Sequence, residues 1–332
     1  MINQFRALAL EDIARELQKA KNTLILYHVR SDADAVGSAF ALRELLRVRG
    51  VPVWCACSDE LPSRLEFLAD GTQGSVLLED DMKIDYERIV AVDSASPSQL
   101  GSLFGRLRRD VDIMIDHHAS GQVYADYYID PSASATGEII YRLAKILLER
   151  GAIDEIPERV KNCIYAAISA DTGCFRYSNT TPEAMRIAAE LIEGGVIHAD
   201  INSKLYDSKP MLQLVAESEA VRRVRLYDEG RIALLLFPYE LMQSIGVSGE
   251  HLDTLIDVLR SIEGVEVAAL IKQSAPDAPF RVSMRSKVDV DVAKICASFG
   301  GGGHARAAGA SLTADSPSEA KQKVLDAVLP RI

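Results

Sequence analysis

The chain has 332 residues, 48% of them apolar and 26% charged, enough for two domains with buried cores and unlike a disordered or membrane-embedded chain. Its net charge of -11 argues against a binder of long duplex nucleic acid, because no global positive field recruits a phosphate backbone. Any nucleic-acid ligand is therefore expected to be short and held by local basic groups.

The first ten residues are broken by polar side chains and soon meet Glu11 and Asp12, so they lack a signal-peptide core. Five scattered cysteines, Cys55, Cys57, Cys163, Cys174 and Cys296, show no paired metal-ligand spacing. These features lead us to expect a reducing, cytoplasmic setting. Cys55 and Cys57 lie in an apolar strand candidate and read as core residues rather than as a metal pair.

Ile13, Leu17 and Ala20 mark a first amphipathic helix. The apolar run Thr23-Leu24-Ile25-Leu26-Tyr27 reads as a buried parallel strand, and Ala39 to Leu46 has helical spacing. Between them, His28-Val29-Arg30-Ser31-Asp32-Ala33-Asp34-Ala35-Val36-Gly37-Ser38 is a strand-to-helix turn, the place where open α/β sheets bind ligands. Asp32 and Asp34 either cap the helix or ligate, pointing to different sides and suiting two neighbouring cations. Gly37 and Ser38 are expected to open the helix, with backbone N–H groups that could hold an anionic oxygen.

Further strand candidates are Pro52 to Cys57, Ile89 to Val92 and Val111 to Ile115, alternating with helical patterns. That alternation predicts a parallel sheet with helices on both faces. Gly71-Thr72-Gln73-Gly74 reads as a turn and Glu79-Asp80-Asp81 as a solvated charge run. Asp93 follows a strand as His28 does, as ligand or as helix cap. The next strand delivers Asp116-His117-His118 to the same edge, with the two imidazoles expected on opposite faces. Ser132 to Glu138 begins a helix, either simply capped or able to hydrogen-bond a ligand through Ser134 and Gly137-Glu138. The helix from Val160 ends near Asp171, where the dipole disfavours a carboxylate, so a positive group should compensate it. Pro182 to Glu193 is a helix closed by Gly194-Gly195.

Polar short helical pieces and Pro210 place the domain junction between Val196 and Leu214. Beyond it, Val221 to Tyr227, Arg231 to Phe237, Val265 to Lys272 and Phe280 to Arg285 read as strands of a smaller α/β domain. Near its end, Gly300-Gly301-Gly302-Gly303-His304-Ala305-Arg306 reads as a flexible loop, either a linker or an anion-binding element.

Five carboxylates gathered at one sheet edge would repel one another unless cations intervene. Carboxylate and imidazole donors without thiolates suit Mn²⁺, with Mg²⁺ or Co²⁺ as alternatives. Two such ions would polarise a phosphoryl oxygen and activate water, so the chemistry read from the residues is phosphoester hydrolysis.

The ordered set His28-x3-Asp32-x-Asp34, Gly37-Ser38, Asp93, Asp116-His117-His118, Asp171 and the terminal Gly-Gly-Gly-His304 resembles the DHH phosphoesterase superfamily with a DHHA1 domain. Length and layout are most similar to its bacterial nanoRNase/pAp-phosphatase branch. Ala119 departs from the proline many members carry after the triplet, a change in turn stiffness only. The resemblance implies an α/β fold in which residues 1–195 form the DHH domain, 196–214 a linker and 215–332 a DHHA1 domain with its own sheet. It implies that His28, Asp32 and Asp93 hold one metal and that Asp34, Asp93, His117 and Asp171 hold the other, with Asp93 bridging. Asp116 would orient a ligand, and His118 would contact the scissile phosphate or protonate the leaving oxygen. Arg281, Arg285, Ser286, Gly301, Gly302, Gly303, His304 and Arg306 would grip the nucleotide. The implied substrates are RNAs of two to five residues, linear dinucleotides and pAp. A homodimer is expected from the resemblance alone. A cyclic-dinucleotide phosphodiesterase shares the metal site and is the nearest alternative; a non-catalytic nucleotide sensor is the alternative of another class.

Overall fold

A computed structural model describes residues 5–19, 21–69 and 84–332. Ala20, the Gly71–Gly74 turn and the Glu79–Asp81 charge run lie outside the described residues, as does the side chain of His304. Two compact units divide the chain, residues 1–208 and 209–332.

The first unit comprises α1 (Leu10–Gln18), β1 (Thr23–Leu26), α2 (Ala33–Arg47), β2 (Val53–Ala56), β3 (Arg88–Val92), β4 (Ile113–Asp116), β5 (Asp126–Ile129), α3 (Thr136–Glu149), α4 (Glu158–Asp171), α5 (Pro182–Glu193) and α6 (His198–Asn202). Its five strands pair in parallel in the order β2-β1-β3-β4-β5. The order reverses direction between β1 and β3, and such a switch point opens a crevice at the carboxyl edge. Strand alternation explains the two cores. Ile25, Val90, Val92, Ile113 and Ile115 pack toward α1 to α4, while Leu24, Leu26, Ile89, Ala91 and Met114 pack on the opposite side with Leu100, Leu103 and Tyr124. Among the described residues that second face is covered by the 3₁₀ helix Pro97–Arg106.

Helix α2 begins at Ala33, with Asp32 as its cap: one carboxylate oxygen accepts from the Asp34 and Ala35 amides, both at 3.0 Å. Gly37 and Ser38 therefore sit inside the helix, and their N–H groups are not exposed to an anion. Gly37 serves close packing instead, since a β-carbon there would lie 2.6 Å from the Cys163 carbonyl oxygen on α4.

The second unit comprises α7 (Met211–Arg223), β6 (Arg225–Tyr227), β7 (Ile232–Phe237), α8 (Tyr239–Ile245), α9 (Leu255–Arg260), β8 (Val267–Lys272), β9 (Phe280–Ser286), α10 (Val292–Ala297), β10 (Gly302–His304), β11 (Ala307–Leu312) and α11 (Pro317–Val328). Its sheet is mixed, in the order β10-β11-β9-β8-β7-β6. Ile232, Val267, Val282 and Met284 face one core with α10 and α11, and Leu235, Ala268 and Leu270 face the other with α7 and α9. Three expectations change here. Residues 198–207 are helical and belong to the first unit, and the helix α7 already begins at Met211. The strand expected from Val221 shrinks to β6, because α7 runs through Arg223. The glycine run is not a loop throughout, since Gly302–His304 pairs antiparallel with β11.

Candidate active site

Three neighbouring strands of the first sheet end in polar residues at one edge. After β1 the backbone turns through Arg30 at φ 56°, and after β3 it turns through Asp93 at φ 52°. Left-handed backbone at non-glycine residues is costly, and here it sits in the two turns that carry His28, Asp32 and Asp93. The Asp93 side chain is 2% exposed, and its Oδ2 is 3.4 Å from His28 Nε2. His28 Nδ1 donates to the Val29 carbonyl at 2.9 Å, which fixes the tautomer and leaves Nε2 toward Asp93 and toward Asp32 at 3.7 Å.

His117 repeats the device. Its Nδ1 donates to the Ala133 carbonyl at 3.3 Å, and its Nε2 lies 3.8 Å from Asp34 Oδ2, 3.8 Å from Asp93 Oδ1 and 3.6 Å from Asp171 Oδ2. A histidine with one nitrogen on a carbonyl and the other among carboxylates is oriented as metal-binding histidines are. His118 does not point away as a continuing strand would require. Strand β4 ends at Asp116, whose Oδ1 accepts the His117 amide at 2.7 Å, the His118 amide at 3.1 Å and His118 Nδ1 at 2.6 Å. This buried carboxylate coils the chain so that both imidazoles turn to the same edge, their centroids 4.7 Å apart.

Asp171 is the last residue of α4. His117 is the positive partner expected for it, and the Asp171 carbonyl accepts from Asn179 Nδ2 at 3.0 Å. Asp34 accepts from Ser38 Oγ at 3.0 Å, the Thr136 amide at 2.7 Å and the Gly137 amide at 2.9 Å. Thr136 Oγ1 also donates to Asp93 Oδ1 at 2.9 Å.

The titrations show how strongly these buried groups act on one another. Burial, together with the charges of Asp93 and Asp171, raises Asp34 well above the carboxylate range despite its three donors. Burial also lifts Asp171 to about 7, against the opposing pull of His117. Asp93 goes the other way: burial resists its charge, but the hydrogen bond to His28 and the nearby imidazoles hold it well below the usual range. His28, His117 and His118 are all raised, since their carboxylate partners outweigh burial. Among the described residues, three groups of donors each gather within 4.8 Å: His28, Asp32 and Asp93; Asp34, His117 and Asp171; and Asp93, His117 and His118. Oxygen and imidazole nitrogen without thiolate is a donor set that fits Mn²⁺ or Mg²⁺.

A model of the DHH family N-terminal domain matches residues 22–168, and one of the DHHA1 domain matches residues 237–331. The bifunctional oligoribonuclease and PAP phosphatase NrnA of Thermus thermophilus is 31% identical over 307 residues, spanning 92% of this chain and 88% of that protein. The chain belongs to the DHH phosphoesterase family. As a DHH phosphoesterase it is a hydrolase of phosphoester bonds. The Bacillus subtilis protein of the same name is 28% identical, over 88% of this chain and 90% of its own length. An exopolyphosphatase-related protein from Bacteroides fragilis shares the fold with a TM-score of 0.86 at 21% identity, covering 97% of this chain and 96% of its own. Among the described residues no helix of this phosphoesterase is long and apolar enough to cross a membrane.

In the second unit, the residues expected to grip a nucleotide divide by strand alternation. Arg281, Ser283 and Arg285 share one face of β9, while Ser286 falls on the other. Ser286 is 1% exposed and donates to the Val290 carbonyl at 2.6 Å, so it pins a turn and does not face a ligand. Arg306 is half engaged, with Nη1 on the same carbonyl at 2.9 Å. Gly301 and Gly303 are structural: β-carbons there would lie 2.2 Å from the Gly309 oxygen and 2.5 Å from the Ala307 oxygen. Gly302 differs, because a β-carbon there meets nothing within 4 Å. It registers with Gly309, which registers with Ser283, giving a low row across three strands between the Arg281 and Arg285 positions.

Sequence reasoning missed Thr136 and Asn179, two uncharged residues that tie the carboxylate-bearing segments together. Only the small-residue entry to α3 hinted at the first.

Proposed function

We propose that this phosphoesterase hydrolyses oligoribonucleotides of two to five residues to 5'-mononucleotides and removes the 3'-phosphate of pAp, with two divalent ions, Mn²⁺ best suited. The observation that carries the reading is His117 Nε2, within 3.8 Å of carboxylates from three separate elements, beside His28 on the other oxygen of Asp93. His28, Asp32 and Asp93 are assigned to one ion, and Asp34, Asp93, His117 and Asp171 to the other. When bound, the ions supply Lewis acidity toward the phosphoryl group and the attacking water. Asp116 holds His118 through Nδ1, so Nε2 is the atom assigned to meet the scissile phosphate and pass a proton to the leaving oxygen.

Two features favour a short substrate. The net charge of -11 gives long nucleic acid no attractive field, and the two relatives described above are named as oligoribonucleases and PAP phosphatases. Arg281, Arg285, Arg306 and the Gly302 row are assigned to the rest of the nucleotide, with forked guanidinium contacts to phosphate. Gly302→Ala is expected to leave the thermal midpoint unchanged and to raise KM for pApA several-fold, with kcat little altered. Gly303→Ala, at φ 137° and against the Ala307 oxygen, is expected to lower the midpoint itself. Melting curves and steady-state kinetics on the two variants separate these roles.

The function is tested by a panel of pApA, a five-residue RNA, a 24-residue RNA, pAp and c-di-AMP, each with Mn²⁺ and resolved by chain length. We expect AMP from pApA, phosphate from pAp and little turnover of the 24-mer or of c-di-AMP. If pApA and pAp both stay intact the proposal is wrong, and if c-di-AMP is turned over fastest the cyclic-dinucleotide reading replaces it.

A further inference from the structure

We propose that Thr136 is a positioning residue that ties the two carboxylates Asp34 and Asp93 together, each 3.8 Å from His117 Nε2, and so sets the affinity for the second ion of the pair. The inference rests on the two-ion reading above and concerns a residue without charge or ligand character.

Helix α3 begins without a side-chain cap of its own: Ala135 precedes it with extended backbone and no capping hydrogen bond. Its first amides, those of Thr136 and Gly137, go instead to the two oxygens of Asp34, 102 and 103 positions away. A carboxylate from α2 thus occupies the anion-accepting end of a 14-residue helix. The same Thr136 sends its hydroxyl to Asp93 Oδ1 at 2.9 Å. One fully buried residue therefore grips two like-charged groups through two different atoms.

Two carboxylates gripped by one buried residue repel one another unless positive charge lies between them. The use of the arrangement is preorganisation: donors held together beforehand need not be ordered when an ion arrives. Threonine suits the task better than serine because branching at Cβ restricts χ1, which holds the hydroxyl toward Asp93. The close approach behind it is also built in. A β-carbon at Gly137 would lie 2.5 Å from the Ala167 β-carbon of α4, so glycine is what lets this helix end reach Asp34.

The test uses metal-stripped full-length protein titrated with Mn²⁺ by calorimetry and by low-temperature electron paramagnetic resonance, without substrate. Wild type is expected to take up two ions with an exchange-coupled spectrum. Thr136→Val keeps the shape and the backbone amide but loses the hydroxyl, and should weaken the second ion by about 10- to 100-fold with loss of coupling. Thr136→Ser should recover most of that loss and Thr136→Ala should not, which a purely structural role would not produce. Melting curves identify any variant that fails to fold, and the serine–alanine pair stands in for a misfolded valine variant. A valine variant with wild-type affinities and coupling overturns the assignment. If wild type itself binds fewer than two ions, the two-ion reading fails and takes this inference with it.

Discussion

Asp93→Asn is expected to abolish turnover of pApA and pAp, lowering kcat by at least about a thousandfold. Asp93 offers one oxygen to the His28 side of the site and the other to the His117 side, and it is the residue assigned above to both proposed ions. Stabilisation of transition-state charge by such ions amounts to several kcal/mol, and each ~1.4 kcal/mol is a factor of ten in rate. Asparagine is the informative replacement because the residue sits at φ 52°, which asparagine tolerates and alanine does not. Asp93→Ala should be equally inactive but melt lower, with roughly 1–2 kcal/mol of added backbone strain. Comparable melting of the two variants would show that the left-handed turn is unimportant. Retained turnover in Asp93→Asn would remove Asp93 from the chemistry.

Chelation with EDTA is expected to end turnover, and Mn²⁺ to restore it, with a pH dependence that follows from the titrations. Asp171 titrates at about 7 in the folded chain against an ordinary 3.8, so across that interval the folded state holds a proton that the unfolded state has released. His28, His117 and His118 are likewise raised above 6.5, and the stability they contribute is present below that value and lost as the pH rises through their folded pKa values. Both effects have one sign, because stability falls with pH wherever the native state binds the more protons. The metal-free protein should therefore lose thermal stability as the pH rises through about 7, where Asp171 titrates, and on through the raised histidine range above 6.5. Divalent ions need the same groups deprotonated, so the upward shift in melting temperature caused by Mn²⁺ should grow over the same range. Asp171→Asn should flatten the metal-free profile. A metal-free midpoint that rises with pH would contradict this account of the site.

The parts of the molecule legible in the sequence are those where burial and local chemistry agree. Strands β1, β3 and β4 are apolar and buried on both faces, and each leads into His or Asp, so the sheet edge that carries the cluster could be read directly. Helix α5 was equally plain, opened by Thr181, which accepts from the Ala184 amide, and Pro182, and closed by Gly194. What escaped was set by tertiary contacts. Strand β5, Asp126-Tyr127-Tyr128-Ile129, is a half-buried edge with no clean alternation. The glycines of β10 become a strand only because β11 lies beside them. The common orientation of His117 and His118 depends on where β4 stops, and the reach of Thr136 to Asp34 spans 102 positions of sequence. The burial of Ser286 was legible, since Phe280, Val282 and Met284 already mark the inward parity of β9.

Anomalous scattering from crystals of the Mn²⁺-loaded protein tests the central claim most directly. Two peaks are predicted, one bounded by His28, Asp32 and Asp93, the other by Asp34, Asp93, His117 and Asp171. A single peak with Asp93 outside its coordination sphere, or no manganese among these groups, would contradict the account.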